Sequence, residues 1–250
     1  MKEQFLRNPN LPESMVSLLM LSDMEPTVLN ELNHLHIRCI ISEPLPSISG
    51  SESVHADMSV CHVGNNSILM TPNISRLVKT KLLQEGFRCT YIAKEVTAED
   101  PYLNACIIGD KAICHNRHTS PELIKELQQI GLNVLHTKQR YARCSTAILN
   151  ENAVITADEG IASLCRSHQI DVLKITPGGI DLTGYPYGFI GGCCGLLSPS
   201  VLAFSGNIQQ HRNYEDIQAF AKNHHISLLS LSNKPLTDIG GLLPLKEMVE

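Results

Sequence analysis

Five stretches of the chain read alike: LNHLHIRCII (Leu32 to Ile41), LLQEGFRCTYI (Leu82 to Ile92), LQQIGLNVLH (Leu127 to His136), CRSHQIDVLKI (Cys165 to Ile175) and AKNHHISLLSL (Ala221 to Leu231). Each has the pattern of a helix end running straight into a buried strand. A helix that stops this way needs a left-handed residue just past its last turn, a conformation glycine adopts without steric penalty. Gly86 and Gly131 supply it in two stretches, and His36, Gln169 and His225 stand at the hinge of the others. Past each hinge, apolar residues alternate or run together as in a buried strand.

Working outward, a second pattern precedes four of the five helices: MSVCHVGNNSILMTP, NACIIGDKAICHN, STAILNENAVITAD and GLLSPSVLAFSG. Each is a pair of short apolar strands around a polar turn. The turns, Gly64–Asn65–Asn66, Gly109–Asp110–Lys111, Asn150–Glu151–Asn152 and Ser198–Pro199–Ser200, are rich in residues that reverse a chain tightly. Helix-start signals follow at Thr71–Pro72, Ser120–Pro121, Ala157–Asp158–Glu159 and Asn213–Tyr214–Glu215. Ser120 offers an N-cap, Pro121 a first helical residue that needs no N–H partner, and Glu122 an acid in the first turn.

The order strand, turn, strand, helix, strand thus recurs at intervals of roughly 40–55 residues, a period typical of repeat architectures. A shorter first unit consists of MVSLLML, a break around Asp23, Glu25 and Pro26, a helix, and HIRCII. The pattern predicts a single α/β domain over 1–250. Its five units cover about 15–46, 54–96, 102–138, 141–182 and 190–236, arranged around a shared centre. Radial repetition protects strand edges, and the tail TDIGGLLPL, within 237–246, is expected to return as a closing strand beside unit one.

Composition narrows the class. Hydrophobic residues make up 43% and charged residues 18%, enough apolar surface for a conventional core. A net charge of −5 and few aromatic residues argue against a surface that tracks phosphates and stacks bases, so nucleic acid is not an expected partner. Nine cysteines, an odd number set mostly in apolar runs, do not read as a disulfide framework. No run approaches the ~18 apolar residues of a membrane span. Free thiols in a reducing cytoplasm, with no membrane contact and no cofactor, are the expectation.

Several short constellations could carry chemistry. His55 and Asp57 stand two apart, so in a strand they would share a face, and a carboxylate beside an imidazole can orient it for proton transfer. The bland alternative is a polar pair at a strand entrance. Gly184 to Gly195, GYPYGFIGGCCG, is the most unusual stretch; its glycines suit close packing or a cradle of backbone N–H groups. Cys193 and Cys194 within it are candidate nucleophiles if a basic neighbour ionises one, although cysteine in an apolar strand is more often an inert core residue. Cys114–His115–Asn116–Arg117–His118 lacks the second ligand pair of a structural zinc site, so no metal is expected.

The five-unit layout resembles the pentein α/β propeller of the guanidino-modifying enzymes, over about Met15 to Leu245. That superfamily includes arginine and agmatine deiminases, dimethylarginine dimethylaminohydrolase and the amidinotransferases. The resemblance implies a five-unit ββαβ pentein propeller with pseudo-fivefold symmetry, and a ligand site on its axis where each unit's first strand begins. It implies a cysteine nucleophile, a histidine acid/base in an HxD-like motif, and carboxylates that hold the guanidinium. Val54–His55–Ala56–Asp57 opens unit two, with Asp57 where the resemblance puts a guanidinium-binding aspartate. Tyr102–Leu103–Asn104 opens unit three, with neutral Asn104 where an acid is usual. Tyr141–Ala142–Arg143–Cys144 opens unit four without the expected histidine. Asp238 to Pro244, DIGGLLP, resembles the glycine-rich turn near the C-terminus without its cysteine.

The expected function is therefore a small-molecule site on the propeller axis directed at C–N bonds of a cationic guanidino or amidine compound. Asp57, Asn104 and Arg143 would bind it, and His55 with Cys193 or Cys194 would act on it. The absent histidine in unit four and the absent C-terminal cysteine support an alternative expectation: a non-catalytic binding or assembly protein on the same scaffold.

Overall fold

The computed structural model describes residues 2–22 and 25–249, so Asp23 of the expected break lies outside the described residues. The first unit comprises β1 (Lys2–Phe5), β2 (Val16–Leu21), α1 (Pro26–His34) and β3 (Arg38–Ile41). The second comprises the single-turn α2 (Ala56–Ser59), β4 (Val60–Gly64), β5 (Ser67–Met70), α3 (Arg76–Gln84) and β6 (Arg88–Tyr91). The third runs β7 (Cys106–Ile108), β8 (Lys111–His115), α4 (Pro121–Gln129) and β9 (Asn133–Thr137). The fourth runs β10 (Thr146–Asn150), β11 (Ala153–Thr156), α5 (Glu159–Ser167) and β12 (Asp171–Lys174). The fifth runs β13 (Cys194–Ser198), β14 (Val201–Phe204), α6 (Tyr214–Asn223) and β15 (Ser227–Ser230), and β16 (Leu243–Val249) follows.

Units two to five share one topology. An antiparallel hairpin is followed by a helix that returns the chain to a third strand, parallel to the second. The repetition extends to single hydrogen bonds. The first residue of the third strand donates its N–H to a carbonyl in the hairpin turn in all four units: Arg88 to Asn66, Asn133 to Asp110, Asp171 to Asn152 and Ser227 to Ser200, at 2.7–2.8 Å.

The five hinges are also alike. His36, Gly86, Gly131, Gln169 and His225 all have positive φ, from 59° to 89°. The next residue, Ile37, Phe87, Leu132, Ile170 or Ile226, donates back to the carbonyl of Leu32, Leu82, Leu127, Cys165 or Ala221, at 2.9–3.0 Å. This is the bond that satisfies an orphaned carbonyl at a helix end. On each helix a buried residue four positions earlier completes an inward stripe: Val28, Val78, Leu123, Ile161 and Ile217. Full burial of such a side chain contributes about 1.5–3 kcal/mol.

Unit one has no hairpin partner of its own, and the far end of the chain supplies it. β16 pairs antiparallel with β2, as β4 does with β5, and β1 adds on its other side. The result is a four-stranded sheet beside four three-stranded ones. Three N-caps accept N–H groups through side chains: Ser75 from Val78, Ser120 from Leu123 and Asp158 from Ile161. The helix expected at Thr71–Pro72 starts instead after Ser75, because the Thr71 hydroxyl bonds Asn73 and receives the Val96 N–H. No helix among the described residues is long and apolar enough to cross a membrane.

Candidate functional site

Residues that open successive units converge on the hub. His55 ends a short turn in extended conformation and caps α2, whose first turn carries Asp57. The pair thus precedes β4 rather than lying in it, and the two side chains reach the hub through this change of backbone direction, not the shared face of a strand. Asn104 lies just before β7, and Arg143 and Cys144 just before β10. All five are buried, with Asn104 fully so and His55 and Asp57 at 2% exposure.

Cys144 is the centre of the cluster. Its thiol donates to Asp57 Oδ2 at 2.6 Å, and Asn104 Nδ2 donates to its Sγ at 3.2 Å. Asn104 Oδ1 also accepts the backbone N–H groups of Arg143 and Cys144, at 2.8 and 3.3 Å, and so fixes the entrance of unit four. Ligating atoms of His55, Asp57 and Cys144 lie within 4.8 Å of one another. His55 Nε2 and Asp57 Oδ1 are buried and have no hydrogen-bond partner. Burial, and then the neighbouring Asp57 and Asp238 carboxylates, push the Cys144 pKa well above that of an ordinary thiol.

Asp238 reaches the same point from the tail. Its Oδ1 lies 3.8 Å from His55 Nδ1, while its carboxylate accepts N–H groups from Phe189, at 2.8 Å, and Gly240, at 3.1 Å. Burial raises its pKa, opposed by His55 and those two backbone donors. Room for it comes from the glycine-rich stretch: a Cβ on Gly192 would stand 2.0 Å from Asp238 Oδ1. Gly240, with φ at 75°, serves His55 likewise, since a Cβ there would stand 2.4 Å from His55 Cβ. The two glycine-rich segments noted in the sequence thus pack around a buried Asp–His pair.

Above the cluster opens a cleft of about 360 Å³, with His55, Cys144 and Asp238 at its floor. Glu52 adds a second carboxylate to the lining, and Tyr141, Tyr185, Tyr187 and Phe189 give aromatic walls. These four rings gather at one place in a chain with only six Tyr, five Phe and no Trp. Tyr185 donates its hydroxyl to Glu52, and Tyr141 stacks near Phe189 with ring centroids 6.2 Å apart. Neither lysine nor arginine appears among the described residues of this lining. The cleft combines two buried carboxylates, aromatic faces and a thiol, surroundings that favour a cation.

The other expected site residues lie elsewhere. Arg143 points away from the cleft, donating Nε to Asn10 Oδ1 and Nη1 to the Gly191 carbonyl, each at 3.1 Å. Cys193 and Cys194 pack in the apolar cluster between units four and five, with Ile190, Leu196 and Phe204. The Cys193 thiol donates to the Ile190 carbonyl, and burial pushes the Cys194 pKa up to about 12. The structure does not bring either cysteine to His55; the apolar character of their run already marked them as core. Cys144 and Asp238 received no role in the sequence reading. Their signal was positional, since one stands at a unit's opening and the other in a glycine-rich turn.

His115, expected to bind no metal, accepts the N–H groups of Arg117 and His118 through Nδ1, at 3.0 and 3.2 Å, and so braces its own turn.

This arrangement, five α/β units in one chain with polar side chains from units two, three and four and from the tail meeting at the hub, is the pentein propeller fold. Among solved structures, the chain is similar to inosamine-phosphate amidinotransferase from Streptomyces griseus, at 13% identity over 99% of this chain and 98% of that one, with a TM-score of 0.64. It is similar to DDAH from Pseudomonas aeruginosa in complex with citrulline, at 12% identity, 87% and 92% coverage and a TM-score of 0.53. Agmatine deiminase from C. jejuni gives 10% identity, 93% and 92% coverage and a TM-score of 0.52. At these identities the shared property is the fold. No curated protein matches the chain by sequence. The chain belongs to DUF6873, a family of unknown function whose model matches residues 19–243.

Proposed function

We infer that the axial cleft takes a guanidino or amidine compound and hydrolyses one of its C–N bonds with Cys144 as nucleophile. The observation that carries this reading is the meeting of Cys144, His55 and Asp57 within 4.8 Å, with Cys144 and His55 at the floor of an acidic, aromatic-walled cleft. Support from likeness is at the level of the superfamily: the amidinotransferase, DDAH and agmatine deiminase named above have the same fold, and it favours an enzyme over a binding-only scaffold.

In this reading Asp57 and Asp238 face the cationic amidine group, and the aromatic walls hold its apolar remainder. His55, oriented by Asp238, takes the Cys144 proton as sulfur bonds to the amidine carbon. The C–N bond then breaks and the departing amine receives that proton from His55. Water attacks the same carbon and gives a proton to His55, and the C–S bond breaks to return the thiol with a ureido or amide product. Asn104, donating to sulfur throughout, is a positioning residue.

The test is to incubate the protein with agmatine, arginine, methylated arginines and benzamidine, and to measure ammonia, released amine and ureido product. Turnover of at least one compound, lost in Cys144→Ala and His55→Ala and kept in Cys194→Ala, is the expected result. Turnover that survives Cys144→Ala, or none across the panel, overturns it.

A further inference from the structure

His55 presents each of its two nitrogens to a different kind of neighbour. Nδ1 faces the Asp238 carboxylate at 3.8 Å, whereas Nε2 is buried without a partner. A carboxylate behind one ring nitrogen, with the other left free, is the outer-sphere arrangement of a metal-binding histidine. Two further atoms complete the pattern: the Cys144 sulfur and Asp57, whose Oδ1 is also buried and unpartnered. We propose that His55, Asp57 and Cys144 bind one thiophilic divalent cation of the Zn²⁺ class, with its fourth position open to the cleft.

The dimensions suit it. Metal–sulfur bonds near 2.3 Å and metal–nitrogen or metal–oxygen bonds near 2.0–2.1 Å put tetrahedral ligands roughly 3.5 Å apart. The three atoms here span separations from 2.6 Å, between Cys144 Sγ and Asp57 Oδ2, up to 4.8 Å, so small side-chain rotations bring them to that spacing. Sulfur already has an outer partner, since Asn104 Nδ2 donates to it at 3.2 Å. The floor of the cleft includes His55 and Cys144 and gives the ion an entry route and a position for water or an added ligand. As the metal–sulfur bond forms, the thiol proton leaves to solvent. The ligands come from units two and four, 87 positions apart for the Asp57–Cys144 pair, so no short-range Cys/His spacing announces the site.

A metal bound here occupies the sulfur that the hydrolytic reading needs, so it acts as an off-switch for that reaction. The binding claim itself does not rest on that reading. Titration of the full chain with Co²⁺, followed by absorption, tests it. One equivalent per chain is expected, with a thiolate-to-cobalt charge-transfer band in the near ultraviolet. The band should disappear in Cys144→Ser and persist in Cys39→Ser, a half-buried thiol on β3 that is not one of the three ligands. Asp238→Asn should keep the band and weaken affinity about 10- to 100-fold, because it disturbs only the partner behind His55. Should Cys144→Ser fail to fold, a loss of affinity of at least tenfold in Asp57→Asn replaces it as the deciding comparison.

Absence of stoichiometric binding, a band that survives Cys144→Ser, or unchanged affinity in both aspartate variants overturns the proposal. Cobalt binding through Cys144 without turnover of any guanidine would sink the hydrolytic reading alone. Turnover without cobalt binding would sink this one alone.

Discussion

Cys144 and Asp57, 87 positions apart in sequence, meet at the hub with the thiol donating to the carboxylate at 2.6 Å. The carboxylate is 2% exposed, has one oxygen without a partner, and stands near a second buried acid, Asp238. Buried charges without full pairing destabilise a fold, and their retention is understandable if a cation completes them. Asp57→Asn should therefore leave the melting temperature unchanged or raise it. The same variant should weaken agmatine binding at least tenfold, about 1.4 kcal/mol, by isothermal calorimetry. Undiminished affinity would remove Asp57 from the binding role.

Asn104 makes a different prediction, because its work is structural as well as local. Its Oδ1 is the acceptor for two buried backbone N–H groups, and an unsatisfied buried donor costs about 1–3 kcal/mol. Asn104→Leu should lower unfolding free energy by about 2–4 kcal/mol in urea denaturation. Asn104→Asp keeps that acceptor but loses the donor to sulfur and adds a charge beside Asp57. It should lose less stability than Asn104→Leu. Equal stability of both variants and the wild type would refute this account.

The architecture was legible because each unit's requirements are local. A helix end that turns directly into a strand needs a left-handed residue, and Gly86, Gly131, His36, Gln169 and His225 all stood where such a residue belongs. The helix start at Thr71 was misread because its hydroxyl is engaged by Val96, 25 positions away. The site was legible only in part, for a related reason. His55 and Asp57 form a visible polar pair, whereas Cys144 is one of nine cysteines, most of them buried, and differs from Cys194 only in what the assembled ring brings beside it. Asp238 depends on the missing side chains of Gly188 and Gly192, some fifty positions away in the chain, where an added Cβ would fall within 2.4 Å of it.

Closure of the ring rests on the C-terminal strand. Leu245 is fully buried on β16 and packs with Leu18, Met20 and Ile68. Leu245→Ala should destabilise the protein by about 2–5 kcal/mol, through lost burial and the cavity left behind. Because β16 lies between β1 and β2, removing residues 243–249 should take both neighbours' hydrogen bonds with it. The truncated chain should lose its cooperative thermal transition. A sharp transition at the wild-type temperature would mean that the ring does not need this strand.

His62 gives a pH dependence whose sign can be worked out. It is buried on β4, where Nε2 lies 2.8 Å from the Asn65 carbonyl and Nδ1 has no partner. Burial lowers its pKa to about 4, opposed by the bond to Asn65. The unfolded chain, with an ordinary pKa near 6.5, therefore binds the proton first on acidification. Stability from this group is full above about pH 6.5 and is lost as pH falls toward 4, in total about 3 kcal/mol. His62→Gln retains a donor for Asn65 and cannot titrate, so between pH 7 and 4 its unfolding free energy should fall less than the wild type's by about that amount. Parallel pH profiles for the two proteins would show that His62 is solvated or protonated in the folded chain.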